Sequence, residues 1–133
     1  MRTPGGAIAS TATSMGARDE TMKRKPAGTT TFTPHAIARV ALVPTTAGGR
    51  KTPIGAVQHG CPVSFEGFEQ FNDCYFLFDR IGIGLAPGAS PVTVPIRFFA
   101  LEMLPVPLSV GLRMFLFEGR KIGQAEITEV LPP

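Results

Sequence analysis

Glycine and proline interrupt this chain at short intervals, and that spacing limits which secondary structures it can form. The 133 residues include 15 glycines and 13 prolines, without the three-residue period of collagen. Because proline breaks helices and glycine weakens them, long helices are disfavoured and many short strands are favoured. The sequence therefore predicts an all-β domain.

From residue 35 onward, short apolar runs alternate with turn residues. The connections between these runs are too short for crossover helices, so neighbouring strands are expected to pair antiparallel. Closing the sheet would remove its exposed edges. We therefore predict a six-stranded antiparallel Greek-key barrel over residues 35–133. The predicted strands cover residues 36–43, 62–68, 75–81, 92–103, 111–118 and 121–130.

Two residues carry specific predictions within this barrel. Pro95 lies inside the fourth predicted strand, where its missing N–H predicts an edge, a bulge or a bend. Gly119 lies between the last two predicted strands, at a hairpin position where a positive φ is expected.

Residues 1–34 differ in composition from the rest of the chain. They are rich in Ala, Ser, Thr, Gly and Pro, and Phe32 is their only aromatic residue. The segment carries five of the 13 lysines and arginines and two of the ten acids, so it holds the whole formal charge of +3. We predict a disordered basic tail, with Met1 and Met22 both open as the start. The neutral body is not expected to bind DNA non-specifically.

Apolar runs and cysteines indicate the expected compartment. No run approaches the ~20 apolar residues of a membrane-spanning helix, so no membrane association is expected. Cys61 and Cys74 have no CxxC spacing, and no secretory signal precedes them. Reduced thiols in the cytoplasm are therefore predicted.

The stretch TAGGRKTPIG, residues 46–55, has the composition of a phosphate-binding loop but not its pattern. A Walker A motif needs glycine before its lysine and a helix after it. Here Arg50 precedes Lys51, and Pro53 follows Thr52. DRIG and GIGLAPG, at residues 79–88, imitate other nucleotide motifs without the elements that accompany them. No nucleotide is expected to bind.

Residues with catalytic or metal-binding chemistry are too few and too scattered for a recognisable site. The chain has two histidines and no cluster of carboxylates with metal-ligand spacing. Cys61 follows His59 by two residues, but a nucleophilic thiolate also needs a positioned base and an oxyanion site. We predict no cofactor, no metal and no enzymatic activity.

Two predicted strands are apolar on both faces. Phe115 and Phe117 share one face with Arg113, while Met114 and Leu116 occupy the other. In the fourth predicted strand, Phe99 and Leu101 likewise share one face. The other face carries the apolar residues Val94, Ile96, Phe98 and Ala100. A barrel needs only one inward face, so a loop, the tail or a partner is expected to cover the surplus.

The order of the turn motifs is similar to that of a known family. VALVPTTAGGRKTPI, CPVSF, APGASPVTV and PLSVGLRMFLFEGRKIGQAEITEVL occur in this order between residues 36 and 131. Together they resemble the C-terminal β-barrel, domain three, of elongation factor Tu. Gly48, Gly49, Arg50, Thr52 and Pro53 match the first loop of the family pattern, and Leu112, Arg113, Glu118, Arg120 and Gly123 match the closing hairpin.

The resemblance implies a barrel of the elongation-factor type. In that family the barrel touches the T-stem of aminoacyl-tRNA and packs against the GTPase domain and other factors. This chain has no GTPase domain. It departs from the family at Cys61, Pro62 and Val63, where the family has Arg-Pro-Gln, and at Glu126, where the family has glycine. These departures remove donors and add an anion where the family approaches RNA.

Two functions follow as hypotheses. The first is a non-catalytic binding module that docks a protein partner through its surplus apolar face, as a mimic or an immunity-type blocker of a toxin. The second is a module for tRNA or rRNA in translation, and it requires the two GRK loops, 49–51 and 119–121, to lie at one end of the barrel. The candidate binding residues are Arg50, Lys51, Thr52, Arg113, Arg120, Lys121, Phe99, Leu101, Phe115 and Phe117.

Overall fold

The computed structural model describes residues 33–133. These form six β-strands, one short α-helix and two 3-10 turns. The strands are β1 (Ala36–Leu42), β2 (Gln58–Phe65), β3 (Phe71–Leu77), β4 (Val92–Phe98), β5 (Arg113–Phe117) and β6 (Lys121–Val130). The helix α1 spans Phe78–Ile81, and the 3-10 turns span Thr45–Ala47 and Leu101–Met103.

The six strands close into a barrel in which all pairings are antiparallel. Their order around the barrel is β1-β4-β3-β2-β5-β6, and β6 returns to pair with β1. Every strand of the described chain therefore has a partner on both sides. The prediction of an all-β, six-stranded antiparallel barrel is confirmed.

Alternation along the strands sends one set of side chains into the core. In β4, Val94, Ile96 and Phe98 are fully buried. Phe65 of β2 packs against Phe98, with the ring centroids 5.7 Å apart. A large apolar side chain contributes about 1.5–3 kcal/mol when fully buried. Val94, Ile96 and Phe98 thus form the inward face of β4, and Met114 and Leu116 form that of β5.

The end of β3 departs from the predicted strand over 75–81. Leu77 and Phe78 are both buried, although neighbours along a strand point to opposite faces. The chain buries both because it turns into α1 at Phe78. Gly82, at φ 72°, ends that helix in the left-handed conformation.

Other predicted bounds also differ. The strand predicted over 36–43 ends at Leu42, and the one predicted over 111–118 spans only Arg113–Phe117. The strand predicted over 62–68 begins earlier, at Gln58, and ends at Phe65, because a turn around Gly67, at φ 90°, reverses the chain. The strand predicted over 92–103 ends at Phe98, and Leu101–Met103 forms a 3-10 turn instead. The predicted bounds 121–130 of the last strand are confirmed.

Pro95 lies just beyond the end of the hydrogen-bonded pairing between β3 and β4. The β3–β4 pairing reaches only to the Phe76–Ile96 pair, one residue short of Pro95. N–H groups alternate along an antiparallel strand, and Phe99 donates to Asp73 of β3, so the nitrogen of Pro95 also faces β3. The N–H that proline lacks would therefore point toward β3 at a position where the β3–β4 pairing has already ended. On the other side, Pro95 pairs with Ile37, where a bulge shifts the β1–β6 register.

Gly119 closes the β5–β6 hairpin with a φ of 77°, as predicted. The register shifts between Leu116 and Phe117, and Phe117 then pairs with Lys121 across the turn. The Glu118 N–H donates to the Arg120 carbonyl at 2.9 Å. This hairpin positions the side chains of Glu118, Arg120 and Lys121, which are discussed below.

The predicted tail falls almost wholly outside the described residues, of which only Thr33 and Pro34 belong to it. The carbonyl of Thr33 accepts a hydrogen bond from Arg97 at 2.6 Å. Over residues 33–133, no helix has the length and apolar character needed to cross a membrane.

Candidate binding surfaces: the GRK rim and the aromatic face

The two GRK loops meet at one end of the barrel, and we call residues 49–51 with 119–121 the GRK rim. Arg120 donates from Nε to the carbonyl of Gly48 at 2.6 Å and from a terminal nitrogen to that of Gly49 at 3.2 Å. Arg50 donates to both carboxylate oxygens of Glu118, at 2.8 and 2.6 Å. Each loop therefore supplies an arginine that holds the other loop.

Backbone geometry shapes the first of these loops. The 3-10 turn Thr45–Ala47 ends at Gly48, whose φ of 93° disfavours any side chain. A Cβ at Gly49 would overlap the carbonyl oxygen of Val43. The hydroxyl of Thr45 also donates to the carbonyl of Arg50 at 2.5 Å. These contacts turn the Arg50 side chain toward the β5–β6 hairpin.

Glu118 is shared between two partners. Besides Arg50, it accepts from Nε2 of His59 at 2.9 Å, and because a carboxylate only accepts, Nε2 carries the proton. The side chains of Arg50 and Glu118 are 19% and 33% exposed. Partial shielding makes this pair stronger than an ordinary surface ion pair.

The cations of the rim therefore divide into two kinds. Arg50 and Arg120 bind other parts of the chain. Lys51 is exposed and makes no hydrogen bond or ion pair with any residue of 33–133. Lys121 is exposed and places its ammonium 4.7 Å from the ring centroid of Phe115. Only the two lysines present their charge to solvent without holding a loop in place.

Thr52 and Arg113, the remaining polar candidates, have different surroundings. Thr52 accepts from Nε of Arg50 through its carbonyl at 3.1 Å, so it supports the rim. Arg113 begins β5, whereas the rim lies at the other end of that strand. A strand rises about 3.4 Å per residue, so Arg113 lies more than ~13 Å from the rim. The structure does not bring Arg113 to the GRK rim.

A second surface, the aromatic face, lies on the outside of β3, β2 and β5 and extends to the segment after β4. It consists of Phe71, Phe99, Leu101, Phe115 and Phe117. Phe71 and Phe117 make an edge-to-face contact with ring centroids 4.9 Å apart. Ser64 of β2 pairs with Phe71 on one side and with Phe115 on the other. Three rings thus lie on one outward surface that crosses three neighbouring strands.

Phe99 and Leu101 extend this surface beyond the end of β4. The N–H of Phe99 donates to the carbonyl of Asp73, which places Phe99 beside the outward side of β3. Phe99 is 72% exposed and Leu101 is 42% exposed. The apolar residues predicted to be surplus on two separate strands are therefore on the same side of the barrel.

Phe71 is the residue of this face that the sequence analysis missed. It is 57% exposed and lies between the two strands predicted over 62–68 and 75–81. Placing the hairpin turn around Gly67 would have assigned Phe71 to the third strand. Alternation from the buried Cys74 would then have placed it outward with Asp73.

The two cysteines lie directly opposite each other on β2 and β3, and both are buried. Burial, with a smaller contribution from Glu118, raises the pKa of Cys61 to about 12. Burial raises the pKa of Cys74 well above its ordinary value. Both thiols are therefore protonated at neutral pH, which argues against nucleophilic chemistry at either.

Within residues 33–133, no group of three or more His, Cys, Asp or Glu side chains is arranged to hold a metal ion. Comparison of the chain with models of known protein families and with curated proteins found no match.

Proposed function

We propose that this chain is a non-catalytic, cytoplasmic binding module whose aromatic face docks a protein partner. The observation that carries the proposal is the exposure of Phe99 and Phe71, 72% and 57%, on the side that also holds the Phe71–Phe117 contact. Aromatic residues are enriched at the centres of protein interfaces, where burial of a ring contributes most to affinity. Within residues 33–133, no segment covers Phe99.

The polar surroundings of the face fit the same role. Asp73 and Glu66 are exposed beside it, as are Arg113 and Lys121. Charges of both signs around an apolar centre are typical of the rim of a protein interface. A folded partner that presents an apolar patch with charges of both signs at its edge would complement this surface.

We also propose that the barrel is a Greek-key barrel of the type found as domain three of elongation factor Tu. The strand order supports this path, since β2, β3 and β4 are consecutive neighbours and β1 lies beside β4. The meeting of the two GRK loops supports it as well, because these are the motifs that carry the resemblance. We then expect the partner to be a protein that binds such a barrel. It is either a protein that this chain captures by mimicking the elongation factor, or a toxin that this chain blocks.

The experiment compares variants of the full chain in a capture assay followed by reconstitution. Phe71→Asp and Phe99→Asp add charge to the face, while Ile83→Asp, at a residue 53% exposed outside it, is the matched control. A protein captured by the wild type and by the Ile83 variant, but lost by both face variants, is then purified. We expect it to bind the wild type at least tenfold more tightly than the Phe99 variant.

Two outcomes would contradict the proposal. Equal capture by all three variants would show that the aromatic face is not the docking surface. The proposal would also be wrong if the wild-type chain remained a monomer and captured no protein that stayed bound through purification, because there would then be no protein partner. Circular dichroism and a thermal melt of each variant establish that the barrel is folded.

A second candidate is binding of tRNA or rRNA, and the GRK rim favours it. The rim carries four cations, Arg50, Lys51, Arg120 and Lys121, and Glu118 pairs with only one of them, Arg50. Because Arg50 and Arg120 hold the loops together, Lys51→Ala and Lys121→Ala are the informative variants. Each lost phosphate contact should reduce the slope of log K against log salt by about 0.7–0.9. A slope that the double variant leaves unchanged would exclude the rim as an RNA site.

A further inference from the structure

A pocket of about 550 Å³ lies over β2, between β3 and the β5–β6 hairpin. The outward residues of β2 at this place are small, because Gly60 has no side chain and Pro62 has only its ring. The flanking strands carry larger outward residues: Pro62 pairs with Asp73 of β3, and Phe117 ends β5. Small residues between larger ones leave a depression, which we call the Asp73 pocket.

Two aromatic rings line this pocket. Phe71 and Phe117 meet edge to face, with 88° between their planes, so only one of the two rings has a face covered by the other. The face of a ring carries partial negative charge and attracts a cation. The same surface already shows this kind of contact, since the ammonium of Lys121 lies 4.7 Å from the ring centroid of Phe115. The two rings therefore favour a cationic group in the pocket.

The charged side chains that line the pocket are both carboxylates, those of Asp73 and Glu118. Glu118 is already bound, because it accepts from Arg50 and from His59. Asp73 is exposed, and its carboxylate makes no hydrogen bond or ion pair with any residue of 33–133. The pocket thus offers a cation one carboxylate that has no other partner in the described chain.

An arginine side chain matches both features of the pocket. Phe71 and Asp73 lie on the same side of β3, about 7 Å apart along the strand. A guanidinium is planar, so it can stack on a ring and donate from its edge to a carboxylate at the same time. The ammonium of lysine is compact and more strongly hydrated, and it has no flat surface to stack. The geometry therefore favours arginine over lysine.

We propose that the Asp73 pocket receives an arginine side chain of the protein partner, stacked on Phe71 and hydrogen-bonded to the carboxylate of Asp73. This inference rests on the proposed docking of a protein at the aromatic face, and it adds the chemistry of that partner. The partner presents an arginine at the edge of its apolar patch. Arginine is enriched at protein interfaces together with aromatic residues, and the two often contribute most to affinity.

The first test is an NMR titration of the full chain with glycyl-arginyl-glycine, blocked at both ends, and with the same peptide carrying citrulline. Citrulline has nearly the shape of arginine but no charge. We expect the arginine peptide to bind about fivefold more tightly, with a preference that falls as salt is added. The amide signals of Asp73 and Phe117 should shift, and that of Ile83 should not. Equal affinities for the two peptides would overturn the proposal.

The second test uses variants in the same titration. Asp73→Asn should reduce the preference for arginine over citrulline to less than about twofold, whereas Glu66→Gln, at an exposed acid that does not line the pocket, should leave it unchanged. Phe71→Leu should weaken the arginine peptide about threefold. Phe68→Leu is its matched control, because Phe68 is 42% exposed outside the pocket. Equal effects within either pair of variants would contradict the proposed site.

The third test separates this inference from the docking proposal. Asp73→Asn should bind the purified partner about fivefold more weakly than the wild type. If Phe99→Asp loses the partner while Asp73→Asn binds it as tightly as the wild type, the arginine assignment is wrong and the docking proposal stands. If Phe71→Asp and Phe99→Asp both retain the partner, docking at the aromatic face is wrong, and this inference is wrong with it.

Discussion

Arg120 donates a hydrogen bond from Nε to the carbonyl of Gly48, 2.6 Å away across the rim and 72 residues earlier in the chain. The same guanidinium reaches the carbonyl of Gly49. A cation that the sequence presents as a candidate for phosphate thus joins two loops of its own barrel. This relationship gives the rim a structural role that mutagenesis can measure.

Replacing Arg120 should destabilise the barrel. Arg120→Ala removes two hydrogen bonds from a charged donor that remains partly open to solvent, so we expect a loss of about 1–2 kcal/mol in the free energy of unfolding. Lys51→Ala is the control, because Lys51 has no partner within residues 33–133, and its effect should stay within about 0.5 kcal/mol. Urea unfolding measures both. Similar losses for the two variants would show that Arg120 does not join the loops.

The ion pair between Arg50 and Glu118 should be measurably coupled. A double-mutant cycle with Arg50→Gln and Glu118→Gln is expected to give about 0.5–1 kcal/mol at low salt. The Arg39–Glu126 pair is the control, with a separation of 3.6 Å and side chains 55% and 44% exposed. Its coupling should be near zero. Equal coupling in the two pairs would contradict the shielding that the geometry indicates.

Gly49 should not tolerate a side chain. Gly49→Ala would place Cβ against the carbonyl oxygen of Val43, so the loop must move and more than about 2 kcal/mol of stability should be lost. Gly55→Ala is the control, since a Cβ there meets no atom within 4 Å and its φ is not positive. Thermal unfolding of the two variants compares them. An unchanged melting temperature for Gly49→Ala would refute the close approach.

The buried thiols should make the fold sensitive to alkaline pH. Burial raises the pKa of Cys61 from 9.0 to about 12, and that of Cys74 also rises. A group with a raised pKa stabilises the fold below its unfolded pKa, and this stability is lost as pH rises through the folded pKa. Between pH 8 and 10, Cys61 should therefore cost about 1.4 kcal/mol of stability, and Cys74 should add a loss in the same direction.

Urea unfolding at pH 8 and pH 10 measures this effect. Other groups also titrate in that range, so the comparison is with the Cys61→Ala, Cys74→Ala double variant, which lacks both thiols. The loss between the two pH values should be smaller in the double variant. Equal losses in the two proteins would show that the thiols do not carry the dependence.

Local patterns predicted much of the barrel. The last strand, its hairpin glycine Gly119 and the inward face of β4 follow from alternation and turn chemistry, which act between residues close in the chain. The end of β3 did not follow, because burial of both Leu77 and Phe78 depends on how α1 packs against β2 and β4. Phe71 was missed for a related reason, since its side depends on where the preceding turn lies.

The sequence by itself determined an all-β chain with short antiparallel strands and with more outward aromatic residues than one core requires. Proline and glycine spacing and strand alternation are local, so they can be read without the fold. Only the tertiary structure brought Arg50 to Glu118, Arg120 to Gly48 and Phe71 to Phe117. Those contacts join residues far apart in the chain, and barrel closure alone decides which loops share an end and which strands share a side.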